Sequence, residues 1–270
     1  MFLKNGWLLA LLSLALPAPA QTATSNRAPN ASEQSAALAA IREYATNHTQ
    51  SLPDYVCSQT TRQTISPDAA DPNGPQPRQT NVIEAEIGYV NHREMEKLTT
   101  INGKPAASAD PKDLPESFSR GEFGTLLLRI FEPQTSTEFR WDRWVTRDKR
   151  RMYVFSYRVP KSKGYVIQEG KRTTVVAFKG LVYADAETNA VMRIEMQGID
   201  FPASSSYQSL TLKLNYKLTK VAEQEFVLPS DFELNSRQSG GTTEVDAEYR
   251  NYRRFSADAT IQFSDINSGR

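Results

Sequence analysis

Two histidines, one cysteine and 31 carboxylates are the groups from which catalysis or metal binding would have to be built. His48 and His92 stand 44 positions apart, and neither has a second His or a Cys at ligand spacing. No H-E-x-x-H or C-x-x-C is present, so the residues assign no metal. Cys57 is alone, which excludes an internal disulfide and fits a small buried hydrophobe. There is no G-x-S-x-G elbow and no glycine-rich loop between a strand and a helix, so neither an α/β-hydrolase nucleophile nor a nucleotide cofactor is indicated. Asp71, Asn73 and Gly74 copy part of a calcium loop, but Ala69 and Thr80 occupy its first and closing positions, and the loop is rejected. Glu84 and Glu86 share one strand face and read as solvated surface. The residues predict no catalytic, cofactor-binding or metal site, and point away from an enzyme.

The aromatic residues are more informative. Phe139, Trp141 and Val145 alternate with Glu138, Arg140 and Asp142, which predicts one apolar face for that strand. Trp141 is expected on this face and Trp144 on the opposite one, beside arginines, where an exposed Trp would suit a partner contact.

Positioning these residues falls to a chain that is mostly strand. After Tyr55 the apolar period is two, most clearly over 209–219, where Leu210, Leu212, Leu214, Tyr216 and Leu218 oppose Thr211, Lys213, Asn215 and Lys217. Further strands are expected at 55–65, 80–90, 92–101, 165–169, 172–185, 224–236 and 243–254. Turn signals stand at Asn102-Gly103, Glu169-Gly170, Glu187-Thr188-Asn189 and Gly240-Gly241. Two helices interrupt the pattern. One is expected at 33–50, capped by Ser32, with Leu38, Ile41, Tyr44, Ala45 and His48 forming its stripe. The other is expected at 120–131, with Ser119 and Glu122 at capping-box spacing and Phe123, Leu126, Leu127, Ile130 and Phe131 on one face. Both histidines are read as surface or helix-end residues. A wide antiparallel sheet with one wet face must curl to hide the other. The expected fold is therefore a strongly curved antiparallel sheet, a half-open barrel, with the helices on its concave apolar side; a β-sandwich is the alternative.

The N-terminus reads as a secretory signal: Lys4, the apolar run Trp7–Leu16, then Ala18-Pro19-Ala20, with cleavage expected after Ala20. The ten-residue run is shorter than the roughly 20 residues a membrane span takes. The expected organisation is a signal peptide at 1–20, a flexible linker at 21–32, one β domain at 33–257 and a tail at 258–270. Removing Lys4 from 32 cations leaves 31 against 31 carboxylates, and a net charge of zero argues against a nucleic-acid partner. The basic runs Arg147–Arg151 and Arg250–Arg254 read as solvated strand ends.

Residues 180–236 (GLVYADAETNAVMRIEM…YQSLTLKLNYKLTKVAEQEFVLPSDFEL) resemble the C-terminal half of periplasmic lipoprotein carriers of the Lol type and the related envelope-stress regulators. The shared features are a strand ending in Asp185, a tight turn, a strand with Arg193 and Glu195, and the Leu228-Pro229-Ser230 motif. The resemblance implies a periplasmic half-barrel closed by helices around a space for acyl chains. Residues 52–63 and 102–133 also look like segments of uncharacterised exported acidobacterial proteins. The leading expectation is a non-enzymatic periplasmic or secreted protein binding a hydrophobic ligand, a lipid or lipoprotein, with Phe123, Leu127, Phe131 and Trp141 as candidate contacts. An envelope interaction or sensor module with Trp144 as its partner contact is the alternative. A hydrolase comes third, and would need buried acids with raised pKa in the concavity.

Overall fold

The structure is a computed structural model that describes residues 27–68, 77–106, 125–169, 172–255 and 264–265. The signal segment, residues 69–76 with Asp71, Asn73 and Gly74, the Ser119/Glu122 cap, Phe123 and Gly170 lie outside the described residues.

Helix α1 (Ala31–Ser51) begins two residues earlier than expected. Its cap is Asn30 rather than Ser32: the Asn30 side chain accepts from the Glu33 N–H at 2.9 Å, and Glu33 returns a bond to the Asn30 N–H at 2.6 Å. Both residues thus satisfy N–H groups that the helix itself leaves unpaired. Strands β1 (Tyr55–Pro67), β2 (Gln79–Val90) and β3 (Arg93–Ile101) form a meander, and a short β4 (Lys104–Pro105) folds back on β3. Asn102 and Gly103, both at positive φ, make the expected turn between β3 and β4. Helix α2 (Thr125–Phe131) follows. The chain then continues as β5 (Glu138–Arg147), β6 (Arg150–Val159), β7 (Tyr165–Glu169), β8 (Arg172–Asp185), β9 (Val191–Ile199), β10 (Tyr207–Val221), β11 (Gln224–Gln238) and β12 (Gly241–Arg254). A two-residue β13 (Ser264–Asp265) pairs with β3.

All pairings are antiparallel and belong to one unclosed sheet, ordered β13-β3-β2-β1-β12-β11-β10-β9-β8-β6-β5, with β7 alongside β8. The β1–β12 pairing joins the first and last long strands and makes the two wings continuous. Eleven strands laid flat would be about 48 Å wide, whereas two helices side by side cover about 20 Å. Yet one core cluster takes in Ile41 and Ala45 of α1, Leu127, Ile130 and Phe131 of α2, and residues from Ile87 on β2 through to Phe155 on β6. The sheet meets both requirements by bending round the helices as a half-barrel.

Bulges supply the bend. Register shifts fall at Cys57, at Asp142, between Glu84 and Ala85, between Tyr183 and Ala184, and twice along β10–β11. One explains the Leu228-Pro229-Ser230 motif. Asn215 pairs with Asp231 and Tyr216 with Pro229, so Ser230 is the extra residue, and Pro229 sits in a central strand beside a bulge that tolerates its missing N–H. The Ser230 hydroxyl donates to the Asn215 carbonyl, and the Tyr252 hydroxyl to that of Pro229. The Asp185 motif is equally structural. Its carboxylate accepts from the Glu187 and Thr188 N–H groups and from Arg150, all at 2.9–3.0 Å. Burial raises the Asp185 pKa, but these donors outweigh it and hold the carboxyl below its ordinary value.

Gly180 is required by the bend. A Cβ there would run into the Glu195 carbonyl oxygen and crowd the Tyr157 hydroxyl, which crosses the glycine to donate to that same oxygen at 3.0 Å. Gly180→Ala is expected to destabilise the fold by more than about 2 kcal/mol in urea denaturation. Gly103→Ala, in an open turn, should cost about 1 kcal/mol. Equal effects would refute the steric reading of Gly180.

Candidate ligand-binding face

On the concave side, α2 presents Leu126, Leu127, Ile130 and Phe131, all buried, to the sheet and to α1. A four-residue stripe on a seven-residue helix has little stability of its own; burial holds it. Arg129 ties the helix to the β6–β7 connection, donating to the Gly164 carbonyl at 3.0 Å, with its guanidinium 5.8 Å from the Tyr165 ring centroid. From α2 the apolar surface runs outward. Phe131 stacks on Phe139 at 5.3 Å, and Arg42 of α1 lies over the Phe139 ring.

Beyond Phe139 the sheet edge carries an aromatic row that strict alternation does not predict. The expectation that Trp141 and Trp144 face opposite ways fails, because Asp142 is a bulge residue: Trp141 pairs with Phe155, Arg143 with Val154 and Trp144 with Tyr153. Tyr153 and Phe155 are two apart and share a face, so both tryptophans share it too. Val145 accordingly moves to the outer face, where it packs on Met152 and Val154. Trp141 meets Phe155 at 5.6 Å and Trp144 at 5.1 Å, and Trp144 lies 4.7 Å from Tyr153. Trp144 is also engaged on its other sides. Arg151 stands 3.7 Å from its ring centroid, and its indole N–H donates to the Arg27 carbonyl at 2.9 Å. Phe139, Trp141, Trp144 and Tyr153 are all half-buried, in contrast to the sealed α2 stripe. The first three lie on β5, the strand at one end of the sheet, and Tyr153 beside them on β6, so the row is an edge of the core left partly open. The sequence carries a sign of this: Phe139, Trp141 and Trp144 are spaced two and then three apart, and one inserted residue reconciles that spacing with a single face.

The remaining chemistry-bearing residues are structural. His48 lies in the last turn of α1, the helix-end position expected for it, but is buried rather than at the surface. Its ring stacks on Tyr44, the Tyr44 hydroxyl is 3.2 Å from Nδ1, and it makes a backbone hydrogen bond to Val227. His92 is exposed in the β2–β3 turn at φ 60°. Cys57 is fully buried, and burial raises its thiol pKa to about 12, against the opposing pull of a hydrogen bond with Tyr252. Glu84 bonds the Thr100 hydroxyl, and Glu86 pairs with Arg253 at 2.7 Å. Among the described residues Asp185 is the single buried carboxylate. It is held below its ordinary pKa at the β8–β9 turn, so the buried acids a hydrolase would need are not met there. No group of three or more His, Cys, Asp or Glu among the described residues could hold a metal. No helix among them is long and apolar enough to cross a membrane.

No family model matches the chain, and no curated protein matches it. It is similar to the solved structure of a LolA superfamily protein from Nitrosomonas europaea, at 10% identity over 81% of this chain and 94% of that one, with a TM-score of 0.42. It is similar also to a putative outer membrane lipoprotein-sorting protein domain from Vibrio parahaemolyticus (10% identity, 80% and 92% covered, TM-score 0.44). A DUF1329 family protein from Desulfovibrio piger matches at 11% identity, with 83% and 95% covered and a TM-score of 0.37.

Burial lowers the His48 pKa to about 4, with the Val227 bond opposing it. The unfolded chain takes up this proton near pH 6.5 and the folded chain only near 4, so the His48 contribution is intact above 6.5 and falls as pH drops through that window. Wild-type stability should drop by about 2 kcal/mol between pH 6.5 and 5, and His48→Gln should flatten the slope. An unchanged slope in the variant would show that His48 is not the group responsible.

Proposed function

We propose that this chain is an exported, carrier-type binding protein. It takes the apolar part of a lipid or lipoprotein on the concave side of its half-barrel, in the periplasm. The observation that carries the reading is the continuity of the half-open aromatic row at the β5 edge with the buried stripe of α2. The row is a mouth, and the stripe is the surface that a guest would replace.

The energetics of that exchange are near balance. Lifting α2 uncovers four apolar side chains at about 1.5–3 kcal/mol each, roughly 6–12 kcal/mol in all. An acyl chain of about fourteen carbons regains roughly 11 kcal/mol at about 0.8 kcal/mol per methylene. In this reading Leu127 and Phe131 face the acyl chain once α2 moves, and Trp141 lines the mouth. Phe123 continues the same helical stripe in sequence. A zero net charge in the mature chain suits a ligand recognised by its apolar part.

Delipidated protein should bind a fluorescent acyl probe such as dansylundecanoic acid saturably, with a blue-shifted emission. Trp141→Ala should weaken binding by about tenfold while costing less stability than the roughly 3–5 kcal/mol of a fully buried Trp, since the residue is only half-buried. The reading fails if the probe does not bind, or if Trp141→Ala and Leu127→Ser both bind it as the parent does.

A further inference from the structure

The outer face of the sheet carries a groove of about 790 Å3 that is independent of the concave side. Strand register builds it from two parallel rows of side chains. One row runs Arg140, Ser156, Leu181, Glu195 and Lys213 across β5, β6, β8, β9 and β10. The other runs Glu138, Arg158, Lys179, Gln197 and Thr211 across the same strands. Long charged side chains stand at the rims, while Ser156, Leu181 and the bare backbone of Gly180 form the middle. The depression therefore follows from residue size, and the methylene stems of the rim cations extend its apolar floor.

Its charges are unevenly matched. Arg158 is paired with Asp200, Lys213 with Glu233, and Glu195 with Arg193. Arg140 and Lys179 have no carboxylate within 4 Å among the described residues. Lys179 is also directly opposite Arg158 in the β6–β8 register. Directly opposed like charges on neighbouring strands sit about 5 Å apart at Cβ and destabilise a sheet. Arg140, Arg158 and Lys179 are thus three cations against two carboxylates, Asp200 and the Glu138 that stands opposite Arg158 in the β5–β6 register, and with the Gln197 amide as a neutral donor they make a setting that an oxyanion would relieve. The size falls within the roughly 300–1,000 Å3 of small-molecule sites.

We propose that this groove is a binding site for a small amphiphile with an anionic head. The head lies between Lys179, Arg158 and Arg140, and the adjoining alkyl segment lies along Leu181 towards Thr211. The site does not depend on the concave one: it is on the opposite face and shares no side chain with the aromatic row.

The test uses the full mature chain titrated with dodecyl phosphate below its micelle concentration, followed by calorimetry and by backbone amide shifts. Saturable binding is expected, with shifts centred on Ser156, Leu181, Gln197 and Thr211. A Lys179→Gln/Arg140→Gln double variant should bind about tenfold or more weakly; both residues are on the surface, so the fold is retained. Inorganic phosphate should compete weakly, and the neutral amphiphile decyl maltoside should not. The proposal is overturned if dodecyl phosphate does not saturate, if the double variant binds it unchanged, or if decyl maltoside binds equally well. Shifts confined to Trp141, Trp144 and Tyr153 would likewise overturn it, by placing the ligand on the concave face. Trp141→Ala tests the concave site alone, so failure of one site is distinguishable from failure of the other.

Discussion

A sheet eleven strands across, with most of its apolar side chains on one side, cannot stay flat in water, and that constraint organises the rest of the molecule. The apolar side holds Tyr55, Leu214, Phe232 and Tyr249, each with essentially no solvent contact. With no disulfide available, burial of this face has to supply the stability. The sheet curls, α1 and α2 fill the hollow, and the unclosed order leaves β5 as a long strand at one end. Every candidate site in the protein lies where this arrangement is incomplete: the half-buried aromatic row where the core reaches the β5 edge, and the groove where small residues interrupt the charged outer face.

Local irregularities decide what each face presents. Asp142 is one added residue, yet it moves Trp144 into the aromatic row and Val145 out to the Met152–Val154 cluster. Ser230 bends β11 beside Pro229, and Gly180 lets Tyr157 cross to β9. Most of the distinctive residues in the 180–236 motif are explained by such devices. Asp185 organises a turn, Pro229 accompanies a bulge, and Arg193 and Glu195 pair with one another at 2.7 Å. The motif thus encodes how to bend a sheet, which is why it marks an architecture without marking a ligand.

The two faces differ in the chemistry they can do. The concave side offers apolar area with few hydrogen-bonding groups, so the guest proposed for it would be selected by length and shape. The outer groove offers cations with incomplete partners over a narrow apolar floor, and the ligand proposed for it would be selected by charge. Among the described residues, burial holds the His48 imidazole neutral and the Cys57 thiol protonated.

Much of this was legible in the residues alone. Alternation placed β7 and β8 at 165–169 and 172–185, the observed bounds, because a half-exposed strand repeats every two residues whatever its partners. The stripe of α2 and the need for a cover followed from helical spacing in the same way. What the sequence could not supply was anything that depends on which strands are neighbours. The stripe already held His48, but its bond to Val227 required knowing that β11 passes beneath α1. The shared face of Trp141 and Trp144 required a bulge whose existence is visible only in the β5–β6 register. The groove rows required the order of five strands. Periodicity is a local property, set by backbone geometry within one segment. Register and opposition are relations between segments far apart in the chain, and they are settled when the whole apolar face is buried at once.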